Sequence, residues 1–130
     1  PFTPRELHAG WLLGEERILT ALSGDFGWYG ENRLAETFVF DDRGREIPNF
    51  PNQTVGTEEG TRIKLDLNKN HCAAMVAIPI EALLKGVVLE NIRYENGVMS
   101  CSAEGKGIVI LKSKKRTQTF KIDGKQKIRF

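Results

Sequence analysis

The stretch VVLENIRYENGVMSCSA, residues 87–103, decides the class of fold. Two runs rich in Val, Ile, Leu, Tyr and Met flank Asn96-Gly97. Asn and Gly both accept positive φ, which the two central residues of a type I′ turn require, so the pair predicts a β-hairpin with strands over 87–94 and 98–103.

Working outward, the same grammar repeats. A strand is predicted over 107–112. Another over 117–122 leads into Asp123-Gly124 and a return strand over 126–130, giving a second Asx-Gly hairpin. Upstream, Ile63, Leu65 and Leu67 alternate with Arg62, Lys64 and Asp66, the period of a half-buried strand. Residues 71–80 are more continuously apolar, as in a strand covered on both faces, and 81–85 read as a single helical turn before Gly86. A further strand over 34–40 enters the turn Asp41-Asp42-Arg43-Gly44 and returns at 45–47. Pro48 and Pro51 then predict a loop over 48–60. Residues 17–22 read as a strand closed by Ser23-Gly24-Asp25. At the start, Thr3 as N-cap, Pro4 and Glu6 outline a short helix carrying Leu7, Trp11 and Leu12 on one face; Gly10 and Gly14 oppose it, and an extended arm is the other reading. Short strands recurring about every ten residues, without long helices between them, predict an all-β, mostly antiparallel fold: a β-sandwich of about nine short strands in one domain.

The composition is that of a globular chain, with 40% apolar and 28% charged residues in 130. No run approaches the roughly 20 apolar residues of a membrane-spanning helix, and no membrane partner is predicted. Two cysteines, Cys72 and Cys101, are too few for a disulfide scaffold; they read as one bridge or as two buried thiols. Asn52-Gln53-Thr54 is a glycosylation sequon and would mark a surface loop. The first residue, Pro1, favours a domain cut out of a longer chain.

The net charge of +2 conceals an asymmetry. Residues 106–130 carry nine Lys or Arg against Asp123 alone, a net of +8, while residues 1–105 carry a net of −6. Lys112, Lys114, Lys115 and Arg116 are the candidate surface for a polyanion or an acidic neighbouring domain. A solvated strand face in which Lys guards an edge is the competing reading. Nucleic acid is disfavoured, because Phe120 and Phe130 are the only aromatic residues in that segment.

Catalytic sets are sparse. His8 and His71 are the only histidines, and Cys72 beside His71 would point to the opposite face of a strand, which separates a nucleophile from its base. The paired carboxylates Asp41-Asp42 and Glu58-Glu59 fall in a turn and a loop. No cofactor is predicted; a metal site from His8, His71 and a carboxylate is disfavoured, and a structural calcium ion in the loops would draw on Asp25, Glu31 or Asp41. The most suggestive local feature is the segment 25–32, where Asp25, Phe26, Trp28, Tyr29, Glu31 and Asn32 combine aromatic faces with polar groups in a glycine-punctuated loop. Such a set suits a sugar ring or a planar ligand; closing one end of the core is the alternative.

The strings at 38–47 (FVFDDRGREI) and 120–125 (FKIDGK) resemble the strand-turn-strand segments of Ig-like β-sandwich accessory domains from secreted bacterial glycoside hydrolases. The resemblance implies a non-catalytic module, extracellular or periplasmic, that packs on an adjacent catalytic domain of the same polypeptide or contacts polysaccharide. Together these readings predict a non-enzymatic accessory module, with a nucleic-acid or polyanion-binding β domain that uses the basic C-terminal hairpin as the alternative and a small enzyme as the least supported third.

Overall fold

The structure, a computed structural model, describes residues 8–13, 16–21, 24–27, 32–58, 60–65 and 71–130, with side chains described for 32–56, 58, 60–65, 71 and 73–130. Among the described residues there is no helix, and every strand pairing is antiparallel. The strands are β1 (His8–Leu13), β2 (Glu16–Ala21), β3 (Gly24–Gly27), β4 (Arg33–Phe40), β5 (Asn52–Thr57), β6 (Gly60–Leu65), β7 (Cys72–Glu95), β8 (Val98–Lys112) and β9 (Thr117–Arg129).

β7 organises the rest. Its first part lies between β2 and β4, with Met75 opposite both Leu19 and Thr37. Its second part pairs with β8 along 81–95 and meets β5 at Leu89 and Glu90. Between the two parts its facing changes. Ala73, Met75 and Ala77 join Ala35, Val39, Ile63 and Leu65 in one cluster, whereas Ile78, Ile80, Ala82 and Leu84 join a larger one. The change coincides with an irregularity in the β4–β7 register: Ala35 is opposite Ala77 but Arg33 is opposite Glu81. The extra residues on β7 let both Ala77 and Ile78 be buried, and one strand thereby feeds two cores.

The larger cluster is enclosed by β7, β8 and β9, which fold back on themselves. The 14 residues from Thr117 to Phe130 would extend over about 45 Å if straight. Yet the Arg116 guanidinium lies 4.4 Å from the centre of the Phe130 ring. The fold occurs at a row of glycines crossing the three strands: Gly86 on β7, Gly105 and Gly107 on β8, and Gly124 directly opposite Gly105 on β9. Gly105 has φ 135°, and a Cβ there would overlap the carbonyl oxygen of Gly86; a Cβ on Gly107 would overlap that of Lys85. Backbone fills the space that any other side chain needs. A second bulge at Asn91 (φ 54°), between the pairs Glu90↔Ser102 and Arg93↔Ser100, restores an inward direction to Ile92 after Leu89. The two leaves of this clasp then close on Leu89, Ile92, Met99, Ala103, Val109, Leu111, Ile122 and Ile128, all buried. Each large aliphatic side chain among them stabilises the fold by about 1.5–3 kcal/mol.

The antiparallel all-β expectation holds, but several divisions of the chain do not. Asp123-Gly124 is no turn: β9 runs through it, paired residue by residue with β8. The true β8–β9 turn is at Ser113–Arg116, where Ser113 N donates to Arg116 O at 2.9 Å and Ser113 Oγ accepts from the N–H groups of Lys115 and Arg116. Residues 81–85, expected as a helical turn, continue β7, and the expected loop at 48–60 contains β5. Of the expected N-terminal helix, residues 8–13 form β1, and Thr3, Pro4 and Glu6 lie outside the described residues. The Asn96-Gly97 hairpin is as expected, with φ 52° and 78°. So is the turn after β4, where Asp41 Oδ1 accepts from the N–H groups of Arg43 and Arg45 at 2.9 Å and Ile47 N donates to Val39 O.

Candidate docking site

The loop singled out in the sequence is not a loop throughout. Asp25 and Phe26 belong to β3, where they pair with Lys64 and Ile63 of β6. Trp28, Tyr29 and Glu31 lie outside the described residues. Asn32 is exposed, and its carbonyl accepts from Ala82 N at 2.7 Å, tying the start of β4 to β7. Asp41 spends its carboxylate on the turn that contains it: backbone N–H donors from Arg45 and Arg43 hold its pKa below the usual aspartate value. Its Oδ2 lies 3.6 Å from Arg45 Nε. Among the described residues no group of three or more His, Cys, Asp and Glu is placed to hold a metal ion.

The sequon does not mark a surface loop. Asn52 is 6% exposed within β5, and its Nδ2 donates to Phe50 O at 3.0 Å and to Asn91 Oδ1 at 3.4 Å. Cys101 is a free thiol in the clasp core, and burial pushes its pKa up to about 12. It therefore stays protonated and unreactive at neutral pH. His71 packs edge to face on Phe50, with ring centroids 5.4 Å apart.

The basic segment gives a different result. Its cations lie on folded strands and one turn, and the register already offsets part of the charge. Lys125 is opposite Glu104, Lys106 opposite Asp123 and Lys112 opposite Glu81. Lys112 is exposed at the end of β8 opposite Glu81, and Lys114, Lys115 and Arg116 are exposed on the β8–β9 turn.

That turn stands at the mouth of the clasp. Because the clasp folds back, the turn meets Pro79 and Ile80 of β7, Tyr94 and Val98 at the hairpin tip, and Phe130. These residues line a groove of about 540 Å³. Its floor is apolar, from Ile80, Tyr94, Val98 and Phe130, and its rim is basic, from Lys114, Lys115 and Arg116. Arg116 lies over the Phe130 ring, which holds its planar fork of N–H donors in place for a carboxylate or phosphate. The tip that carries Tyr94 is anchored on β4, since Glu36 accepts a hydrogen bond from Tyr94 N–H. The charges of the rim are legible in the sequence, but its place over the floor is not: the hairpin and the β8–β9 ladder set Tyr94, Val98 and Phe130 side by side, and the fold at the glycine crease brings the Ser113–Arg116 turn onto them.

No family model, no curated protein and no solved structure matches this chain.

Proposed function

We propose that this chain is a non-catalytic β module, with the clasp as the two facing layers of a sandwich, that docks an acidic, partly apolar segment of a partner in the groove at the clasp mouth. The observation that carries this reading is the joining of an apolar floor to a basic rim, with Arg116 already oriented by Phe130. An apolar anchor entering between Tyr94, Val98 and Ile80 removes apolar surface from water, while flanking carboxylates meet Lys114, Lys115 and Arg116. A neighbouring domain of the same polypeptide is the partner that fits an accessory role. The carbohydrate-contacting variant of that role rests on Trp28 and Tyr29, which lie outside the described residues.

The test is titration with a synthetic peptide of Asp and Glu residues around a single Leu or Trp. Binding is expected to weaken steeply with salt and to fall by about tenfold or more in Arg116→Ala, roughly the loss of one charge-assisted contact. Equal binding of an acidic peptide lacking the apolar anchor would reduce the site to a generic polyanion surface. Turnover of a polysaccharide by the isolated chain would overturn the non-catalytic reading.

A further inference from the structure

β9 has a second edge. Among the described residues it pairs only with β8, along its whole length, and the parity of that ladder is fixed at its end. Met99 and Phe130 exchange both backbone hydrogen bonds, each at 2.8 Å. The register is unbroken from Arg129 back to Thr117, so the even-numbered residues of β9 turn their N–H and C=O groups to β8. The odd-numbered residues, Lys121, Asp123, Lys125, Lys127 and Arg129, turn theirs to the open edge.

The same parity sorts the side chains. Ile122 and Ile128 face the core, with Phe120 half-buried against it, while the five odd-numbered residues are all exposed on the outer face. Four cations and one aspartate therefore flank the open backbone. A row of lysines on an edge rejects neutral strands and a second copy of itself, since pairing β9 with β9 brings like charges together. It does not reject an acidic strand. We infer that the open edge of β9 accepts, as an added strand, an extended segment of another protein in which acidic and apolar residues alternate. Its carboxylates would stand beside Lys121, Lys125, Lys127 and Arg129 on the outer face. Its apolar residues would fall on the inner face and extend the cover over Phe120. Backbone pairing supplies the affinity and charge supplies the choice of partner. The inference is independent of the groove, which uses other residues.

The experiment is amide hydrogen exchange on the full chain with a short peptide of alternating Glu and Val, and with the matching Lys-Val peptide. The Glu-Val peptide is expected to slow exchange at Lys121, Lys125, Lys127 and Arg129 by about tenfold or more, as formation of a ladder does. The Lys-Val peptide should leave those amides unchanged. Lys127→Pro removes an N–H that points to the open edge and breaks no bond to β8, so it should abolish the protection. The double charge reversal Lys125→Glu with Lys127→Glu keeps the backbone and should abolish it also. Arg116→Ala should leave it intact, which separates this edge from the groove. Protection by both peptides alike, protection confined to residues lining the groove, or protection that rises with protein concentration in the absence of peptide would each overturn the inference.

Discussion

Gly97 and Gly105 lie on the same strand pair, both with positive φ, and they do opposite things. At the hairpin tip Gly97 (φ 78°) has open space where a Cβ would be, so only its backbone conformation matters. At the crease Gly105 (φ 135°) has the Gly86 carbonyl oxygen in that place, and Gly107 has that of Lys85. One glycine reverses the chain. The other two let strands cross so closely that the sheet folds over its own core. The lesson is that a glycine in a β sequence signals either a local turn or a nonlocal approach, and the neighbours in sequence do not say which.

Breaking the crease should give the largest effect. Gly107→Ala places a methyl group against backbone that cannot move without unpairing β7 from β8. A loss of at least about 4 kcal/mol is expected, shown as a collapsed urea midpoint or the absence of a cooperative transition. Gly97→Ala should cost only about 1–2 kcal/mol, the strain of a Cβ at positive φ. Equal losses at the two sites would mean that the crease relaxes and does not shape the clasp.

Between these comes the core that the crease encloses. Leu89→Ala, at a site with 0% exposure between β5 and β8, should cost about 3 kcal/mol by cavity formation. The Cys101 thiol provides an independent readout. Buried and protonated, it should react with a thiol reagent only when the clasp opens, so its labelling rate should rise in Leu89→Ala in step with the lost stability. Labelling as fast as that of an exposed thiol in the unaltered chain would contradict a closed clasp.

The same contrast marks what was legible in the sequence. Asn96-Gly97 declared its hairpin because the turn's demand is local, and Ile63 and Leu65 declared a buried face because alternation is local too. Asp123-Gly124 carried the same text as a turn, but continuous pairing with Glu104, Gly105 and Lys106 keeps it in a strand. Gly86 read as a terminus for the same reason. Glycines taken as breaks divided the chain into short strands, whereas the fold uses long strands with a shared crease. In the candidate site, the charges of Lys114, Lys115 and Arg116 were readable. That Tyr94 and Phe130 lie under them follows from the crease alone.

The smallest expected effect tests how firmly the hairpin tip is seated on β4. Glu36 is half-buried, and desolvation raises its pKa above the ordinary 4.5, against the lowering influence of the Tyr94 N–H and the Arg93 charge. A carboxyl with a raised pKa binds its proton more tightly in the folded state than in the unfolded one. The stability linked to that proton is complete below the unfolded pKa and is lost as the pH rises through the folded value. Glu36→Gln keeps an oxygen to accept from Tyr94 N–H and removes the charge that burial penalises. It should therefore raise the thermal midpoint slightly at neutral pH, and the gain should disappear once the solution is acidic enough to protonate Glu36 in both states. A lower midpoint at neutral pH would show that attraction to Arg93 outweighs desolvation, and that the tip is held on β4 by charge more than by its backbone hydrogen bond.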